Sequence, residues 1–197
     1  MRKIACSIVA LALLVPADAE AQRRGNMYRY NAYSFSPYAG VLMDAFDAEP
    51  DGSNLGWIAG FRAGYTESER TNFHLNLGYA QTGDVAPRPL VGDPVIVDNQ
   101  WVLLTAGGDF ALVPGNTSVA LGVDLGVGWL RTRPVQPEAG SGRQTWSAHD
   151  VVAPALIVRH QFTPRAGVYV SAQDYIFDLL NGSAQHSPAF TFGLTIR

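Results

Sequence analysis

From Val119 to Trp129 the chain alternates with a period of two. Val119, Leu121, Val123, Leu125, Val127 and Trp129 are large and apolar, while Ala120, Gly122, Asp124, Gly126 and Gly128 between them are small or acidic. A helix, with ~3.6 residues per turn, would scatter these side chains around its axis, whereas a strand sends them to two opposite faces. The stretch therefore reads as a strand whose faces differ in size as well as polarity. The same division recurs from Asn72 to Ala80, where Phe73, Leu75, Leu77 and Tyr79 oppose Asn72, His74, Asn76, Gly78 and Ala80. It recurs again from Trp57 to Tyr65, where Ile58, Gly60, Arg62 and Gly64 form the second face, and from Phe190 to Ile196, where Thr191, Gly193 and Thr195 do.

A sheet with one face in water would carry many Lys and Glu opposite its apolar face. Here that second face is mostly Gly, Ala, Asn and Thr, and charged residues are only 16% of the chain, against about a quarter in soluble domains. Small residues suit the crowded interior of a narrow barrel, whose lumen side chains just fill. The large residues then face lipid. Beyond the amino-terminal leader no apolar stretch approaches the ~20 residues of a spanning helix. A closed barrel is the other structure that pairs every backbone group in a membrane. Segments of this kind can be placed at 38–46, 57–65, 72–80, 100–112, 119–129, 150–162, 166–177 and 190–196. The expected fold is all-β, an eight-stranded antiparallel up-and-down transmembrane β-barrel. In the 100–112 segment, Val102, Leu104, Ala106, Gly108, Phe110 and Leu112 make one outer face, which puts Trp101 inside unless a bulge resets the register.

The connections support one orientation. At 47–55, 66–70, 82–99, 113–116, 131–149, 163–165 and 178–187 they alternate long and short, the pattern of outward loops and periplasmic turns. Pro114-Gly115-Asn116 and Thr163-Pro164-Arg165 supply tight-turn chemistry. Trp57, Trp101, Trp129 and Trp146 lie at strand ends beside the long connections and are expected to form an outer aromatic girdle, with Tyr65, Phe73, Phe110, Phe162 and Phe190 toward the opposite rim.

At the amino terminus, Arg2 and Lys3 precede an apolar run from Ile4 to Val15 and the small-residue sites Ala17-Asp18-Ala19 and Ala19-Glu20-Ala21. This is the layout of a secretory signal peptide. The expected organisation is a signal peptide over 1–21, a periplasmic lead over 22–37 carrying Arg23, Arg24 and Arg29, and a barrel over 38–197. Cys6, the single cysteine, falls in the leader, so the remaining chain offers neither a disulfide nor a Cys-ligated metal. A net charge of -3 without a basic face argues against a nucleic-acid partner.

The segments Gly-Val-Tyr-Val-Ser-Ala-Gln-Asp-Tyr-Ile-Phe (167–177) and Phe-Thr-Phe-Gly-Leu-Thr-Ile-Arg (190–197) are similar to the last two strands of many bacterial outer-membrane β-barrels. Over about 38 to 197 the chain resembles that superfamily, in particular the eight-stranded type typified by the OmpA transmembrane domain. The resemblance implies residence in the bacterial outer membrane, contact with outer-membrane lipids and lipopolysaccharide, and insertion by the barrel-assembly machinery. Many such barrels end in an aromatic residue, and this chain ends Ile196-Arg197.

The chemistry-bearing residues on the inward faces are Arg62, His74, Asp109, Asp124 and Arg159, all placed to meet in the lumen. A charge in so narrow a space needs a partner to offset its desolvation, so the set reads as an ion-paired plug. The sharper alternative is a catalytic or proton-conducting cluster, with His74 as base and Asp124 as its orienter. The acidic run Asp47-Ala48-Glu49-Pro50-Asp51-Gly52 begins like a calcium loop, but Ile58 stands where the closing Glu belongs, so it reads as a solvated loop. His149, His160 and His186 have no metal-ligand spacing. No metal, cofactor or catalytic residue is assigned.

The expected function is a monomeric structural or surface-interaction protein acting through the long loops 82–99 and 131–149, the second carrying Arg131, Arg133 and Arg143 for lipopolysaccharide phosphates. The alternatives are a narrow pore and a lipid-modifying hydrolase using Ser147 and His149 near the outer rim.

Overall fold

The computed structural model describes residues 32–43, 55–82, 97–134 and 146–197. The expected signal peptide, most of the expected lead, the acidic run and the long loops at 44–54, 83–96 and 135–145 lie outside the described residues. Strands β1 (Ala32–Met43), β2 (Leu55–Thr66), β3 (Thr71–Thr82), β4 (Val97–Val113), β5 (Thr117–Pro134), β6 (Trp146–Thr163), β7 (Ala166–Phe177) and β8 (Gln185–Ile196) follow one another in chain order. Each is antiparallel to its neighbours, and β8 returns to β1 to close the barrel. Closure leaves no unpaired sheet edge.

The faces follow the alternation. Phe73, Leu75 and Leu77 on β3 and Leu121, Val123 and Leu125 on β5 are each about half exposed, as are Phe61, Phe110, Val170, Phe192 and Leu194 around the ring. An apolar belt of this extent would be untenable in water and is suited to hydrocarbon. The shortest strands have 12 residues, more than the ~10 a tilted strand needs to span. The β4, β5 and β6 strands, with 17, 18 and 18 residues, rise past β3 and β7 at the long-loop end.

The first strand begins at Ala32, so residues 32–37, expected in the periplasmic lead, are barrel wall. Pro37 hides this in the sequence, because a residue without an N–H is a poor strand interior. Its ladder to β2 is continuous, while the ladder to β8 skips from Phe35 to Tyr38 without a change of register, so the interruption falls at the residue that lacks a donor. Pro154 repeats the arrangement: it pairs with Val123, and the β6–β7 ladder skips from Val152 to Ala155.

The short turns close by local hydrogen bonds. Ser68 Oγ accepts from the N–H groups of Arg70 and Thr71 at 3.2 and 3.0 Å, and Thr163 Oγ1 accepts from those of Arg165 and Ala166 at 3.2 and 3.0 Å. Gly115, with φ 138°, makes the β4–β5 turn in a conformation that side chains disfavour.

The glycines on the inward face serve two purposes. Gly193 lies against the Tyr169 ring and Gly78 against the Tyr38 hydroxyl, so each yields space to an aromatic neighbour. Gly122 and Gly128 act similarly beside Asp109 and Phe177. Gly126 differs, since a Cβ there would strike the backbone carbonyl of Leu104.

The aromatic girdle needs two corrections. Trp57 and Trp146 are 48% and 47% exposed at the long-loop end, and Trp129 is half-buried there. Trp101 is 0% exposed and points into the lumen, stacked on Phe177 with centroids 4.2 Å apart. Its position beside the long loop suggested the girdle, but no bulge shifts β4 near it, so the alternation places it inside. Phe190 pairs with Val41 and Ala172 and so sits above the short-turn rim. Tyr33, 79% exposed and packed on Tyr65 at 5.3 Å, sits at that rim instead.

Candidate functional site

Inward positions on β2, β3, β4, β5 and β6 bring Arg62, His74, Asp109, Asp124 and Arg159 together in the lower lumen. Arg159 donates two hydrogen bonds to the two Asp109 oxygens, at 2.7 and 2.5 Å, in the bidentate geometry that makes such pairs strong. His74 stands between the two acids. Its Nε2 lies 2.6 Å from Asp124 Oδ1 and its Nδ1 3.5 Å from Asp109 Oδ2. Arg62 approaches Asp124 at 4.0 Å and donates from Nε to Asn76 Oδ1 at 2.7 Å.

Neutral amides complete the cluster. Asp124 Oδ2 accepts from Asn76 Nδ2 at 2.6 Å and Gln173 Nε2 at 3.1 Å, and Asp109 Oδ2 accepts from Asn72 Nδ2 at 3.0 Å. Asn76 also reaches Thr105 Oγ1 at 3.2 Å. The result is an unbroken chain of contacts, Arg62 to Asp124 to His74 to Asp109 to Arg159, through the barrel interior. Both ring nitrogens of His74 are engaged by carboxylates and the residue is buried. Carboxylates on both sides of a buried ring are the geometry expected of an ion-paired plug.

Below the network, toward the short turns, a polar cavity of about 30 Å³ is lined by Ser34, Ser36, Gln161, Tyr169 and the flanks of Arg62 and Arg159. That is room for about two waters and not for a solute. Above the network, Trp101, Phe177, Leu42, Ile58, Leu103 and Val151 make an apolar layer. The lumen is thus filled twice, by charge below and by aromatic packing above.

Three solved structures share this architecture. Neisserial surface protein A is 12% identical over 83% of this chain and 95% of its own, with a TM-score of 0.56. Ail, the attachment invasion locus protein of Yersinia pestis, is 15% identical over 85% of this chain and 99% of its own, and OprG of Pseudomonas aeruginosa is 12% identical over 87% and 98%, both with a TM-score of 0.52. The fold is that of the eight-stranded outer-membrane β-barrels. At these identities the likeness fixes architecture and leaves the chain's role to its own residues. No protein family and no curated protein sequence matches the chain.

A second cluster occupies the long-loop rim of the barrel. Ser147 Oγ lies 2.8 Å from His149 Nε2, and His149 Nδ1 lies 2.7 Å from Asp178 Oδ2. Ser147 and His149 were visible in the sequence as a pair two apart. Asp178 was not, because it lies 29 residues on, just past the end of β7. The signal available for it was the ladder itself: pairing Val151 with Phe177 puts position 178 beside 150. Asn72, Asn76 and Gln173 escaped notice for a different reason, since neutral amides are common lumen filler and nothing in their spacing marks them as carboxylate partners.

Proposed function

We propose that this chain is a closed outer-membrane barrel, a structural or surface-interaction protein that presents its long loops outward and conducts nothing through its lumen. The observation that carries the reading is the continuous side-chain plug from Arg62 to Arg159, capped by the Trp101–Phe177 stack. A pore would need an aqueous path, and a lumen filled by paired charges and aromatic packing disfavours one. The exposed belt and the upper tryptophans favour lodging in a bilayer, with β4, β5 and β6 extending past their neighbours at the upper rim. Arg131, whose guanidinium lies 5.9 Å from the Trp146 ring centroid at the upper rim, is suited to a lipopolysaccharide phosphate.

The test is reconstitution of the full chain in planar bilayers, with folding checked by heat-modifiable migration on gels. Folded protein that leaves the bilayer electrically silent is expected. Discrete, reproducible conductance steps would overturn the closed-barrel reading in favour of a pore.

A further inference from the structure

The cluster at the upper rim has the connectivity of a hydrolytic triad. Asp178 Oδ2 only accepts, so the proton between it and His149 belongs to Nδ1, and Nε2 is left to accept the Ser147 hydroxyl, whose longer alternative acceptor is the Leu130 carbonyl at 3.4 Å. That is the tautomer a nucleophilic serine requires. The arrangement is held from three sides. The His149 ring packs edge-on against Trp101 with centroids 5.5 Å apart, so the buried stack supports it from beneath. Asp178 sits at φ 55°, an uncommon left-handed conformation outside glycine, and its N–H donates to Asp150 O at 3.1 Å. Leu180 N–H donates to Asp150 Oδ2 at 3.2 Å, which fixes the turn that carries Asp178. Ser147 itself is exposed, so its oxygen is open to a substrate.

We propose that Ser147, His149 and Asp178 form an esterase site for acyl esters of amphiphiles lying at the membrane surface. The apolar surroundings specify the substrate class. Leu179 and Leu180, next after Asp178, are 45% and 84% exposed at the same rim. These offer an acyl chain contact that water does not. In the reaction, Ser147 Oγ attacks the ester carbonyl carbon while its proton passes to His149 Nε2. The carbonyl–alkoxy bond then breaks, the departing alcohol takes that proton, and the acyl group remains on Ser147. Water adds to the acyl-serine, giving its proton to His149, which returns it to Ser147 as the carboxylic acid leaves. Asp178 holds the imidazole in register and stabilises it while protonated.

The experiment uses the refolded full chain in detergent micelles with the p-nitrophenyl ester of decanoic acid, following nitrophenolate release, and a fluorophosphonate probe located by mass spectrometry. Wild type is expected to turn over the ester and to carry the probe on Ser147. Ser147→Ala and His149→Ala should each reduce turnover on the order of a thousandfold. Asp178→Asn should lower kcat with little change in KM, as a residue acting through His149 does. All three lie at the rim and should keep heat-modifiable migration. His160→Ala is the control. His160 makes a similar 2.8 Å contact with the Thr117 hydroxyl at the opposite rim, and its loss should leave turnover intact. Wild-type release at the buffer rate, release that survives Ser147→Ala, or probe on another residue overturns the proposal. Equal rates on the acetyl ester overturn its assignment to amphiphiles.

Discussion

Asp124 shows at the residue scale what closes this barrel. Its two oxygens serve His74, Asn76 and Gln173, with Arg62 4.0 Å away. Its removal strands four polar groups in the narrow lumen. Asp124→Ala should therefore cost about 3–5 kcal/mol, the penalty for breaking a buried ion pair from one side. The double change Asp109→Asn with Asp124→Asn keeps the shapes and removes both negative charges facing Arg62, His74 and Arg159. It too should lower the urea midpoint followed by tryptophan fluorescence, and an unmoved midpoint would show that the charges do not hold the plug. The five members of this cluster were legible in the sequence because each is a charged or imidazole side chain on a face of small residues. The neutral amides between them were not, since only proximity distinguishes a carboxylate partner from filler.

The element scale was legible where alternation is strict and blurred where one residue interrupts it. β3 and β5 keep mostly large apolar side chains to one face and smaller or polar ones to the other. In β1, Pro37 shifted the apparent start to residue 38, and in β4 a tryptophan next to a long loop resembled a girdle residue although its register points inward. The glycines within these strands make testable claims about why they are glycine. Gly193→Ala collides with the Tyr169 ring, so it should destabilise by about 1–3 kcal/mol, and Tyr169→Leu on the same chain should recover part of that loss. Gly126→Ala meets the backbone of β4, so no single side-chain truncation should rescue it. Thermal unfolding of Gly193→Ala, its double with Tyr169→Leu, and Gly126→Ala distinguishes the two cases. The outer face makes its own claim. Leu125 is 57% exposed in mid-strand, and Leu125→Lys should cost about 2–4 kcal/mol in a bilayer, the price of a charge near the midplane. The same substitution in a water-solvated sheet would be nearly neutral, so refolding into vesicles separates the two environments.

At the scale of the whole molecule, the two seals lie one above the other and are built from different forces. The upper is apolar, with Trp101 and Phe177 wholly buried and stacked, and the lower is the charge network anchored on Asp109 and Asp124. Trp101→Ala removes one of the largest buried side chains and should cost about 3–5 kcal/mol, yet the barrel wall, closed by backbone ladders on all sides, should still form. Because the lower seal is independent of it, Trp101→Ala with Phe177→Ala should leave planar bilayers silent. Adding Arg62→Ala and Asp124→Ala opens the lower layer as well, and only then should small conductance steps appear. Conduction from the aromatic pair alone would mean that the charged layer does not close the lumen, and its contacts would then serve stability without gating water.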